Sequence, residues 1–160
     1  MGKKQEPHRL PSGVGFLLAQ LGTHAAATFA SSIEDLELTP PQAGLLWMLA
    51  RKPGRSQREL ADDLGMPPSR FVPFADKLEE RGLIERRRNP DDRRLHALHL
   101  TEQGSEVLGK LGAAARRSED VLCRALADDE REQLAALLVR IASDQGLSPG
   151  VHPGYKSVRT

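Results

Sequence analysis

The 160-residue chain has one cysteine, one tryptophan, one tyrosine and four phenylalanines. A lone Cys123 forms no intrachain disulfide, so nothing covalent staples the fold, and the chain fits a reducing compartment. One cysteine and scattered histidines give no zinc-ligand spacing, and no metal is expected. His96 and His99 lie three apart in a strand-like run and so point to opposite faces. No apolar run approaches the ~18 residues needed to span a bilayer. Lys3 and Lys4 are not followed by the apolar core of a signal peptide, so a cytoplasmic protein without membrane association is expected. A nucleophile motif and a glycine-rich phosphate loop are missing too. The acidic groups Asp62-Asp63, Glu79-Glu80 and Asp128-Asp129-Glu130 fall on charged helix faces or helix starts, where solvation or capping accounts for them. Neither an enzyme nor a cofactor is expected.

A surplus of either charge is also lacking, with 23 Lys and Arg against 22 Asp and Glu. Divided along the chain, the balance is uneven. Residues 51–100 hold 12 basic against 9 acidic side chains, and residues 101–145 hold 6 against 9. Such asymmetry points one part of the molecule toward an anionic partner. Arg86, Arg87, Arg88, Arg93 and Arg94 sharpen it by falling within nine residues.

The length suits one buried domain with accessory helices. Residues 1–11 are polar, with Pro7, and read as a loose N-terminus. From about Ser12 to Leu36, Phe16, Leu17, Leu21, Ala25, Phe29 and Ile33 recur near helical spacing. This first helix has little charged face, and a helix apolar nearly all round requires burial on more than one side; a partner subunit supplies it readily. Thr39-Pro40-Pro41-Gln42 is a capping box with proline at the first helical position, opening a helix to about Arg51. Pro53-Gly54 is a turn. Ser56-Gln57-Arg58-Glu59 is a second capping box, opening a short helix that Gly65 closes. Pro67-Pro68-Ser69 starts the next helix, to about Arg81, with Phe71, Phe74, Ala75 and Leu78 on one stripe. Ser69, Arg70, Val72, Pro73, Asp76 and Lys77 then lie on or near the opposite face.

After Gly82 the period changes. Residues 83–88 and 95–100 read as two short strands around the turn Asn89-Pro90-Asp91-Asp92. Thr101 caps a long helix to about Cys123. Asp128 or Asp129 caps a last one to about Asp144, with Leu134, Leu137, Leu138 and Ile141 as its stripe. Residues 146–160 read as an irregular tail. Two short helices with a tight turn, followed by a two-stranded ribbon with a basic tip, make a winged helix-turn-helix at about residues 40–100. The major groove of B-DNA admits one helix, and a ribbon beside it can deliver arginines to the minor groove or phosphates.

The sequence resembles the MarR family of bacterial regulators. The resemblance rests on Leu38-Thr39-Pro40-Pro41-Gln42, Gln57-Arg58-Glu59-Leu60-Ala61, the run from Leu78 to Arg86, Asn89-Pro90-Asp91-Asp92-Arg93-Arg94 and Leu100-Thr101-Glu102-Gln103-Gly104, in that order across roughly residues 12–145. It implies a mainly α fold with a small β-wing, the winged helix-turn-helix flanked by dimerisation helices at about 12–36 and 101–145. It implies a homodimeric repressor on a pseudo-palindromic double-stranded operator, released by a small phenolic or otherwise anionic ligand. The recognition helix would present Pro68, Ser69, Arg70, Val72 and Pro73 to the bases and Lys77 to the backbone. The wing would offer Arg86, Arg87 and Arg88, with Asp92 orienting a tip arginine among Arg93 and Arg94, and Arg94 entering the minor groove. Arg55 and Gln57, around a helix start, are expected phosphate contacts. His24 and Trp47 are candidates for an effector pocket. Pro73 departs from the family, which more often carries a residue able to reach DNA there, commonly arginine. A proline inside a helix removes a backbone hydrogen bond and can cost ~3 kcal/mol, so a late start, a kink or a shifted register is expected. Two other classes compete: a winged-helix interaction module without DNA binding, which Pro73 keeps open, and a redox or metal sensor built on Cys123, against which packing is the plainer role for a lone cysteine.

Overall fold

A computed structural model describes residues 13–88 and 96–151. Six helices and three short strands appear there, and local sequence signals account for most of their ends. Helix α1 spans Val14–Ser32. It stops short of Leu36 because Ile33 turns inward, fully buried, and a 3-10 turn over Glu34–Leu36 follows. Glu37 then takes a left-handed backbone at φ 52°, reversing the chain into helix α2, Pro40–Arg51. The capping box forms as its residues dictate: the Gln42 amide donates to Thr39 Oγ1, and the Thr39 amide donates to Gln42 Oε1 at 2.9 Å. Helix α3, Gln57–Asp63, repeats the device, with the Ser56 amide donating to Glu59 Oε2 at 2.8 Å. Gly65, at φ 61°, makes the tight turn into helix α4, Pro68–Glu80. A left-handed residue at that place carries no steric cost for glycine.

The ribbon consists of β2, Ile84–Arg88, and β3, His96–Leu100, paired antiparallel with Arg86 opposite Leu98. It is not alone. Arg55 and Ser56 form a further strand, β1, which pairs with Leu98 and Ala97, so a three-stranded sheet of order β1-β3-β2 replaces the expected two-stranded ribbon. Helix α5 follows at Glu102–Leu122 and α6 at Asp128–Asp144. Neither aspartate caps α6: Ala127 stands at the N-cap, and its amide donates to Glu130 Oε2 at 2.8 Å. The expected C-terminal tail is irregular as far as residue 151, where Val151 packs against the core.

That core is the underside of the helix-turn-helix. Leu45, Leu46 and Leu49 of α2, Leu60 of α3, Phe71 and Leu78 of α4, Ile84 and Leu98 of the sheet and Leu111 of α5 are buried in one cluster. Each such side chain contributes about 1.5–3 kcal/mol by leaving water, so α4 is anchored by its whole inner stripe. Helices α1 and α6 contrast with it, since neither has a buried residue. Phe16, Leu17 and Leu21 of α1 and Leu134, Leu137, Leu138 and Ile141 of α6 are exposed. No helix among the described residues is long and apolar enough to cross a membrane.

Candidate nucleic-acid interface

Helix α4 buries Phe71, Phe74, Ala75 and Leu78 and turns the opposite side outward. Ser69, Pro73, Asp76 and Glu80 succeed one another at steps of three and four along that outer line. Val72, Pro73 and Lys77 are exposed, as are Pro68 and Ser69, while Arg70 is half-buried. Pro73 neither delays nor divides the helix. Its first turn closes on Pro67, whose carbonyl accepts from the Arg70 and Phe71 amides at 2.9 and 3.0 Å, and helical structure continues through Pro73 to Glu80. The ring leaves the Ser69 carbonyl without its helical donor, but Ser69 is exposed, and water can satisfy a carbonyl there.

The three wing arginines among the described residues have different surroundings. Arg86 turns back onto α4: its guanidinium engages the carboxylates of Asp76 and Glu79, and its amide donates to Glu79 Oε1 at 3.2 Å. Only 18% of its side chain is exposed, so Arg86 braces the sheet against the recognition helix. Arg87 donates from Nε to Glu85 Oε1 at 2.9 Å and remains largely exposed. Arg88 is exposed at the end of β2. Asp92, Arg93 and Arg94 lie outside the described residues, as does the turn at 89–91.

Arg55 is also engaged. It pairs with Asp63 at the far end of α3 and donates to the Glu59 carbonyl at 3.4 Å. The hydrogen bond to Asp63 raises the Arg55 pKa, and the same bond holds the Asp63 carboxyl below its ordinary value. Glu59 is lowered as well, by the Ser56 hydroxyl and then the Ser56 amide. Carboxylates depressed in the folded state contribute stability that is complete above their unfolded pKa and is lost as pH falls through the folded one. Stability should therefore decline between roughly pH 5 and pH 3, and Asp63→Asn should flatten that decline in urea titrations taken across this range. Gln57 is half-buried, and its Oε1 is enclosed without a hydrogen-bond partner among the described residues.

Two further arginines, Arg58 and Arg81, lie in segments that carry the family resemblance but are given no role by the sequence. Arg81, at the end of α4, donates to the carbonyls of Glu37 at 2.5 Å and Leu36 at 2.9 Å. It thereby ties the recognition helix to the turn that follows α1. No local signal announces a bond across 44 residues. Arg58 is exposed on α3, and within the second capping box it is Ser56 and Glu59, its neighbours, that make the signal.

Behind the reading head lies a cavity of about 300 Å³ between α1, α2 and α5, lined by Ala25, Thr28, Phe29, Trp47, Ser118 and Glu119 among others. Trp47 stacks on Phe29 with ring centroids 5.8 Å apart. His24 is exposed and is not among the lining residues. Glu119 is the one ionisable group in the lining among the described residues. Cys123 is half-buried at the end of α5.

Known proteins share this arrangement. The sequence model of the MarR family matches residues 36–95. A protein assigned as the transcriptional regulator of the hcr operon in Thauera aromatica is 34% identical over 143 residues, which are 84% of this chain and 86% of that one. Among solved structures, the transcriptional repressor CouR bound to a 23-mer DNA duplex superposes with a TM-score of 0.74 at 35% identity, over 88% of this chain and 99% of that one. The PcaV transcriptional regulator of Streptomyces coelicolor, in complex with its natural ligand, gives a TM-score of 0.68 at 29% identity, over 87% and 98%.

Proposed function

The chain belongs to the MarR family of transcriptional regulators, and from that premise we propose that it is a homodimeric, ligand-released repressor that reads double-stranded DNA with α4 and the wing. The observation that carries the reading is α4 itself, anchored by a fully apolar inner stripe and presenting an exposed outer line beside an arginine-rich ribbon. Contacts to bases fall to Pro68, Ser69, Arg70, Val72 and Pro73, with Lys77 on the backbone. Phosphate contacts fall to Arg88, Arg58 and Arg87, whose pairing with Glu85 leaves it largely exposed, because Arg86 and Arg55 are held by carboxylates and mostly covered. Arg94, with Arg93 and Asp92, completes the wing tip. The exposed apolar faces of α1 and α6 are covered by a second copy, and two reading heads on a twofold axis suit half-sites ~10 bp apart. The function is binding, with no catalysed reaction, and its place is the cytoplasm.

The effector site is the cavity behind Trp47. Its lining has aromatic and small side chains, two hydroxyls and a single acid. Within the phenolic or anionic class, that lining suits a neutral phenol, because the surface it turns to the cavity is almost wholly apolar and no cation lines it among the described residues. A ligand here touches α1, α2 and α5 together and so alters the angle between the dimerisation helices and the reading head. DNA is then released by a population shift toward the ligand-bound arrangement. The test is a gel shift on DNA flanking the protein's own gene, titrated with neutral phenols and with benzoates. Phenols should release the DNA at concentrations where benzoates do not. Trp47→Ala should raise the releasing concentration at least tenfold while leaving DNA affinity without ligand near wild type; release unaffected by Trp47→Ala would rule out the cavity as the effector site.

A further inference from the structure

The outward line of α4 is unusual for a helix that meets polar base edges. Its middle is apolar. Val72 is 42% exposed and Pro73 is exposed beside it, although the inner stripe is complete without them. Ser69 lies one turn before Pro73 and Lys77 one turn after. The nearest acid, Asp76, is held by Arg86. Pro73 also has no amide hydrogen. The centre of the reading face therefore has neither donor nor acceptor to offer from its side chains.

In the major groove one base edge answers to such a surface. Thymine carries a 5-methyl group there, whereas the other bases present donors and acceptors. An arginine or glutamine in place of Pro73 would select guanine or adenine by paired hydrogen bonds, and neither option is available at this position. We infer that Val72 and Pro73 read thymine through its 5-methyl group, so that each half-site carries thymine at the step facing the middle of α4. The inference rests on the DNA-binding reading above. The fixed proline ring adds to the fit: it loses no side-chain freedom on docking, so burial of the methyl is not offset by ordering a side chain.

Deoxyuridine differs from thymidine only by that methyl group, which makes the test direct. The full chain is used to select a duplex from a random pool, and each thymine of the selected site is then replaced in turn by deoxyuridine. One or two positions in each half-site should lose about fourfold in affinity per methyl removed, the factor expected for one buried methyl group. Val72→Ser and Pro73→Ser should weaken binding to the thymine duplex and erase the difference between thymine and uracil at those positions. Selective binding that is insensitive to uracil at every position would overturn the inference and leave the DNA-binding reading standing. Discrimination that persists in both variants would overturn it as well. Failure to select any duplex would overturn both.

Discussion

Replacing Gly104 by alanine should destabilise the protein by about 3 kcal/mol, at the upper end of what overpacking costs. Gly104 is buried in the first turn of α5, and an added Cβ would run into the Leu83 carbonyl oxygen, with Leu83 C at 3.0 Å and Leu100 Cδ2 at 3.3 Å. The obstacle is backbone that cannot step aside. The Leu83 carbonyl accepts from the Thr101 amide at 3.2 Å, and Thr101 Oγ1 donates to the Gly82 carbonyl at 2.6 Å while accepting from the Gly104 amide at 2.9 Å. Moving α5 away would break these bonds and pull the helix from the core at Leu111. With about 2–4 °C lost per kcal/mol for a chain of this size, thermal unfolding should shift down by roughly 6–12 °C. An unshifted transition would mean that the junction between wing and α5 is looser than its geometry indicates.

Substituting Arg93 and Arg94 together by alanine should lower DNA affinity about 10- to 100-fold at moderate salt, with folding stability unchanged. Phosphate and minor-groove arginines displace condensed counterions, so the slope of log affinity against log salt should become shallower by about one for each phosphate that is no longer neutralised. Arg86→Ala provides the contrast. It should cost about 1–2 kcal/mol of stability, because it leaves Asp76 and Glu79 without their shared cation, and it should leave the salt slope unchanged. If Arg86→Ala flattens the slope and the double variant does not, the wing meets DNA along β2 and not at its tip.

The contrast between these arginines shows where a sequence is readable. Thr39 with Gln42 and Ser56 with Glu59 are pairs three residues apart, and both capping boxes form as the sequence indicates. The inner stripe of α4 is equally local, set by helical period alone. What escapes is decided at a distance. Arg55 and Ser56 read as the approach to a helix, yet Leu98 and Ala97 recruit them as a third strand. Arg86 belongs to a basic run that reads as one patch, but α4 folds two carboxylates against it. Ile33 fits the helical spacing of α1 and nevertheless ends it, since the core takes its side chain completely. Pro73 is the opposite case. The sequence leads to the expectation of a late start, a kink or a shifted register, and the helix starts at Pro68 and runs continuously through Pro73 to Glu80.

On the proposed function, this fold reads DNA as a twofold dimer. That use is tested most directly by equilibrium binding of the full chain to a duplex selected from a random pool, with stoichiometry and salt dependence measured together. The expected result is a pseudo-palindrome with half-sites ~10 bp apart, two chains per duplex, and log affinity falling linearly with log salt. A pool that yields no enriched sequence, or a duplex bound by a single chain with affinity indifferent to salt, would contradict it.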